Sequence, residues 1–135
     1  MPRSFFDTSV LLHVASADAA KAERVEKLIA AGGAISVQVL NEITHVARRT
    51  MGLSWVETRA FLSTIQALMP ARPVTVEIHE TGIALAERHG LSTADAMIIA
   101  SALHANCDTV WSEDMQDGMK IGKQLRVINP FKKAR

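Results

Sequence analysis

Cysteine is nearly missing from this chain. Cys107 stands alone among 135 residues, so no internal disulfide and no thiolate metal cluster can form. Long apolar runs are missing as well: the longest stretch, residues 94–105, is broken by Asp95, Ser101 and His104 and is too short to span a bilayer. Nothing resembling a secretory signal opens the sequence, and the expected location is a reducing cytoplasm. A dominant charge sign is absent too. Fifteen Lys and Arg against fourteen Asp and Glu leave a formal +1, which by itself says nothing about nucleic acid. There is no internal repeat, linker or low-complexity segment.

What remains is the composition of a soluble globular protein, 48% hydrophobic and 21% charged. A chain of this length buries a sufficient core without disulfides or structural metal, and a single domain over residues 1–135 is expected. Basic residues are unevenly placed: Lys120, Lys123, Arg126, Lys132, Lys133 and Arg135 crowd the C-terminal stretch, and Arg48 and Arg49 lie about two helical turns beyond Glu42.

Apolar patterning predicts short strands alternating with helices. Residues 3–6 form a strand candidate that stops at Asp7, followed by a short helix to about residue 14. Residues 18–31 repeat Val25, Leu28 and Ile29 at helical spacing and end at Gly32-Gly33. A very short strand over 34–36 precedes a helix over 37–50 whose apolar stripe runs through Val37, Leu40, Ile43, Thr44 and Val46 or Ala47. Ser54 and Glu57 have capping-box spacing at the head of a helix to residue 68. A strand over 74–78 leads into a helix over 77–88 that Gly90 ends; Ser92, Thr93 and Asp95 then open a helix apolar almost all round, to residue 103. Strand candidates over 109–111 and 124–128 complete the chain, with a turn at Asp117-Gly118 between them. This order argues an α/β fold built on a parallel sheet between helices.

In such sheets functional groups collect at the carboxyl ends of the strands. Asp7 and Asp114 each follow a strand candidate, Asp95 lies in a first helical turn, and Glu42 sits on a helix about two turns past a short strand. Capping, turns and solvated faces explain each acid singly; their matched positions suggest that they meet. Two like charges about 4 Å apart repel by roughly 4 kcal/mol at an effective dielectric near 20, so a shared site must take a cation or protons. Oxygen donors without thiols or clustered imidazoles select Mg²⁺ or Mn²⁺ over zinc. Such an ion invites a phosphodiester into an otherwise repellent pocket and activates water for in-line attack.

These residues resemble the PIN-domain nucleases, and more closely the VapC-like toxins of type II toxin-antitoxin modules. The resemblance covers nearly the whole chain: Phe6-Asp7-Thr8-Ser9-Val10-Leu11, Ser36-Val37-Gln38-Val39-Leu40-Asn41-Glu42, Leu91-Ser92-Thr93-Ala94-Asp95-Ala96, Trp111-Ser112-Glu113-Asp114-Met115 with Gly118, and a closing Asn129-Pro130-Phe131. It implies a PIN-like three-layer α/β/α sandwich with a short-stranded parallel sheet, Mg²⁺- or Mn²⁺-dependent endoribonuclease activity, a homodimer, and a cognate antitoxin that blocks the site. The family's metal-binding acids fall on Asp7, Glu42, Asp95 and Asp114, and Asp117 matches an extra acidic position that some members carry. Thr8 and Ser112 match hydroxyl positions that orient the first and last acids. One departure is Thr93-Ala94, where relatives often place a bulky aromatic before the late acid.

Arg48, Arg49 and the Lys120 to Arg126 group are candidates for an RNA path. His13, His45, His79, His89 and His104 show no pairing that makes a metal or base–nucleophile unit, although His45 lies almost one helical turn past Glu42. Cys107 reads as a packed hydrophobe. An aspartyl phosphatase would need a second acid where Ser9 stands, and a receiver domain would need adjacent acids at the first strand. The surviving alternative is a PIN fold kept, without catalysis, as an RNA- or protein-binding module.

Overall fold

Two adjacent phenylalanines decide how many layers this fold has. In the computed structural model, which describes residues 3–132, Phe5 and Phe6 are both fully buried. Neighbouring residues of a strand point to opposite faces, so both faces of the sheet carrying them are covered. Ala34 and Ile35, equally buried, repeat the pattern one strand away. The result is the anticipated α/β/α sandwich.

The elements run β1 (Ser4–Phe6), α1 (Thr8–Leu11), a 3-10 turn (Leu12–Ala15), α2 (Ala19–Ala30), β2 (Ile35–Ser36), α3 (Val37–Arg49), α4 (Trp55–Leu68), β3 (Ala71–Arg72), α5 (Val76–His89), α6 (Thr93–His104), β4 (Thr109–Trp111), β5 (Lys120–Ile121) and β6 (Leu125–Ile128). A four-stranded sheet has the order β1-β4-β6-β5, parallel except for β5. β2 and β3 pair in parallel. A bridge from Phe5 to Ala34 joins that pair to β1, through Phe6 N–H to Ala34 O at 3.1 Å and Ala34 N–H to Ser4 O at 3.0 Å.

Local signals act where the sequence carries them. Ser54 and Glu57 form both bonds of the capping box, Gly90 ends α5 at φ +67°, and α6 is buried continuously from Ala96 to Ala102. Two expectations fail. Residues 74–78 form no strand, because the Thr75 side chain accepts from Ile78 N–H at 3.2 Å and starts α5 at Val76. The strand there is Ala71–Arg72, upstream of Pro73. The stripe of α3 keeps Ile43 and Ala47 buried as expected, with Leu40 packed on the core, but its first member fails: Val37 is exposed and Val39 is buried instead. β5 was not anticipated, and Lys133 and Arg135 of the basic stretch lie outside the described residues.

Gly33 does more than end a helix. A Cβ at this position would fall on Phe6 Cε1 and lie 3.2 Å from Ser4 O, and the fully buried Phe6 ring has no room to swing away. Gly33→Ala is expected to cost about 1–3 kcal/mol, read as a lower urea midpoint at constant slope. An unchanged midpoint would show that β1 and Ala34 can separate without penalty.

Candidate active site

Asp7, Glu42, Asp95 and Asp114 line one cavity of about 470 Å³. Four separate segments deliver them. β1 ends at Phe6 and presents Asp7; β4 ends at Trp111 and presents Ser112 and Asp114; β2 runs straight into α3, whose second turn carries Glu42; Asp95 occupies the first turn of α6. This is the carboxyl edge of the parallel strands.

Asp7 is 6% exposed and caps α1. Its Oδ1 accepts from Thr8 N–H at 2.8 Å, and its Oδ2 accepts from the hydroxyls of Ser9 at 3.0 Å and Ser112 at 2.8 Å. Glu42 is held from two sides: Oε1 accepts from the Thr8 hydroxyl at 2.6 Å and Oε2 from Gln38 Nε2 at 3.1 Å. The same Gln38 amide donates to Ala94 O at 3.0 Å and so ties α3 to the start of α6. Ser92 caps α6 by accepting from Asp95 N–H at 3.1 Å. Asp114 is exposed at the cavity wall.

The two expected orienting hydroxyls act, but crossed. Thr8 turns its hydroxyl to Glu42, and Ser112 serves Asp7 rather than Asp114. Strand order is the cause. β4 lies beside β1, with Asp7 N–H bonded to Trp111 O at 3.0 Å, so the residue after Trp111 falls next to Asp7. Asp117 is not brought into the cavity. Its carboxylate accepts from Asn129 N–H at 2.7 Å and faces Lys132 Nζ at 3.8 Å, beside Gly118 at φ +85°. Its place is the turn, as the simpler of its two readings had it.

Ser9 and Gln38 were not anticipated. Gln38 precedes Glu42 by four residues, a helical neighbour spacing that marks the pair; Ser9 lies in the opening motif, but nothing in its spacing marks it as a donor to Asp7. His45 lines the cavity and Arg48 and Arg49 line an adjoining one, whereas Lys120, Lys123 and Arg126 line another that shares no residue with the acids. Cys107 is buried, which pushes its thiol up to about 11 and suits a packed hydrophobe.

Burial dominates the electrostatics. It raises the Asp7 carboxyl to about 6; hydrogen bonds from Ser112, Ser9 and Thr8 oppose the rise and the Glu42 charge adds to it. Asp95 is also raised, first by burial and then by Asp114 and Glu42, against the Ser92 hydrogen bond. Glu42 thus repels Asp7 on one side and Asp95 on the other. The donor set is hard oxygen, which suits Mg²⁺ or Mn²⁺. Among the described residues no group of three His, Cys, Asp or Glu side chains is arranged to hold an ion unaided. Mg²⁺ keeps several waters and needs only one or two carboxylates directly, and the cavity fits that mode of binding.

The raised Asp7 carboxyl has a thermodynamic consequence. Between the ordinary value of 3.8 and about 6 the folded, metal-free chain binds a proton that the unfolded chain has released. Stability from this group is therefore greatest below that window and falls by up to about 3 kcal/mol as pH rises through it. Asp7→Asn, neutral throughout, should melt above the parent chain in EDTA at about pH 7 to 8, with the gap closing toward acid. A gap independent of pH would mean that Asp7 ionises like a surface acid.

Comparison with known proteins bears on the fold. A toxin-antitoxin complex from Klebsiella pneumoniae superposes with a TM-score of 0.72 at 19% identity, covering 95% of this chain and 98% of that one. DNA-bound VapBC from Salmonella typhimurium gives 0.70 at 17%, covering 94% and 97%. VapC20 from Mycobacterium tuberculosis, a sarcin-ricin loop cleaving toxin, gives 0.65 at 22%, covering 82% and 89%. Among curated proteins no match is found. The sequence matches the PIN domain family over residues 4–117, a span that holds all four cavity acids, and the chain belongs to that family.

Proposed function

We propose that this protein is a metal-dependent endoribonuclease, the toxin of a type II toxin-antitoxin pair, which cleaves RNA phosphodiester bonds in the acidic cavity. One observation carries the reading: four acids from four segments face one cavity, and two of them, Asp7 and Glu42, have their oxygens fixed by side-chain hydrogen bonds. Membership of the PIN domain family supports it, as does the likeness to toxins, one of them described as cleaving the sarcin-ricin loop.

In this reading Asp7, Asp95 and Asp114 hold Mg²⁺ or Mn²⁺, and Glu42 completes the site as a ligand or as the base that orients water. When bound, the ion supplies positive charge toward the phosphodiester and lowers the pKa of water. The chain does the rest by position. Thr8 and Gln38 fix both oxygens of Glu42, each of which keeps a lone pair to accept a proton or hold a water in line. Ser112 and Ser9 hold Asp7 in one rotamer, so the carboxylate needs no reorganisation when charge arrives. The antitoxin partner rests on the likeness to toxin-antitoxin complexes. A homodimer and a cytoplasmic location, where RNA is met, complete the proposal; no helix among the described residues is long and apolar enough to cross a membrane.

The alternative is a catalytically silent PIN-fold module that binds RNA or protein. It is favoured by the lack of three donors gathered to hold an ion among the described residues.

Incubating the purified chain with total RNA in Mg²⁺, Mn²⁺ or EDTA separates the two. Discrete cleavage is expected with metal and not with EDTA, reduced at least about a hundredfold by Asp7→Asn or Asp95→Asn. Millimolar Mg²⁺ should also raise the melting temperature of the parent chain and not of Asp7→Asn, through preferential binding to the folded state. Cleavage that survives in both variants would refute the mechanism, and a folded chain silent in every lane with no metal-dependent melting shift would remove the nuclease reading and leave the binding module.

A further inference from the structure

Beside the acidic cavity lies a second one of about 410 Å³ with the opposite character, lined by Asn41, Thr44, His45, Arg48, Arg49 and Trp55. Asn41 and His45 line both cavities, so the two adjoin along α3. Trp55 is the first residue of α4 and is 56% exposed. The capping box at Ser54 and Glu57 fixes the helix start from which its ring projects. The Arg48 guanidinium sits 4.4 Å from the ring centroid and is anchored by an N–H to Leu53 O at 2.8 Å.

This is an indole kept largely in water beside two adjacent guanidiniums. One ring face carries Arg48, and the exposure of the residue leaves indole surface for a ligand. A guanidinium has five N–H donors, of which the Leu53 contact takes one. A chain of phosphodiesters that crosses an acidic cavity needs cations at its margin, and Arg48 and Arg49 stand at that margin. An apolar protein segment would be served by the ring but not by the pair of arginines.

We propose that this shelf binds an unpaired nucleotide flanking the cleaved bond: its base stacks on Trp55 and its phosphate is taken by Arg48 and Arg49. The inference rests on the nuclease reading and adds a subsite to it: the base beside the cleaved bond must be unpaired, whether in a free strand or in a loop or bulge. In a duplex the bases are stacked on one another and cannot reach an external ring.

The test measures binding in Mg²⁺ of a short mixed-sequence RNA, single-stranded or as its duplex, to the cleavage-impaired Asp7→Asn chain with and without Trp55→Ala, Trp55→Phe or Arg48→Ala/Arg49→Ala, with tryptophan emission followed in parallel. The single strand is expected to bind more tightly than the duplex and to quench emission. Trp55→Ala should weaken single-strand binding about tenfold, abolish most of the quench and shrink the preference over duplex; Trp55→Phe, which keeps an aromatic face, should recover most of the affinity. The double arginine variant should weaken both forms and lower the salt slope by up to about 2. Unchanged single-strand affinity and quench in a folded Trp55→Ala chain would overturn the proposal, as would an equal loss for single strand and duplex. Metal-dependent cleavage by the parent alongside such an unchanged Trp55→Ala chain would sink the shelf and leave the nuclease standing. Trp55-dependent binding without any cleavage would sink the nuclease and leave a single-strand-binding shelf.

Discussion

A carboxyl group buried at the end of a strand sets the terms for everything around it. Asp7 follows two phenylalanines that need both faces of the sheet covered, and that covering takes its side chain out of water too. A buried carboxylate is tolerable only with donors around it. Asp7 has three, from Thr8, Ser9 and Ser112. The last arrives only because β4 pairs with β1 in a register that sets Trp111 beside Phe6. Strand pairing and site assembly are one event here, and an error in the first would dismantle the second.

Three of the acids were legible in sequence because each follows a signal of its own, an apolar run that stops before Asp7 and Asp114 and a capped helix start at Asp95; Glu42, two turns into α3, carries no such local mark. Ser92 and Asp95, Ser54 and Glu57, and Gly90 are local devices, and local devices can be read without knowing the fold. What could not be read depends on which strands are neighbours. The crossed service of Thr8 and Ser112, the partnership of Ser9 and the clash awaiting a side chain at Gly33 all require contacts between segments distant in sequence. The strand expected over residues 74–78 failed for a different reason. Its β-branched residues favour extension, but Thr75 is also a good N-cap, and the capped helix prevailed. On α3 the stripe departed from expectation only at the helix start, where Val37 stays exposed and Val39 joins Ile43 and Ala47 in facing the core.

α3 carries the site's polarity along its length. Glu42 lies in its second turn beside the acids, and Arg48 and Arg49 close its last turn. The helix dipole favours cations at that end by about 0.3–1 kcal/mol, which accounts for arginines there without invoking any ligand. It does not account for Trp55. An indole at the head of the next helix gains nothing from the dipole and leaves more than half of itself in water, so the arginines have a structural reason and the tryptophan beside them calls for another.

Two adjacent acids after β4 show how finely the chain sorts charge. Glu113 and Asp114 are neighbours, yet only Asp114 lines the cavity. Glu113 turns the other way, to Lys21 Nζ at 2.6 Å and His13 Nε2 at 2.7 Å, and the Phe131 ring packs against both of those side chains. Burial pushes its carboxyl up, but Lys21 and His13 outweigh that and hold it below its ordinary value. A fifth acid is thereby paired with cations within a few residues of a cavity already lined by four. The Glu113 backbone also contributes, since its N–H donates to Ser9 Oγ at 3.1 Å, and that hydroxyl in turn donates to Asp7. The same loop therefore supplies one acid to the cavity, withholds another, and buttresses a third.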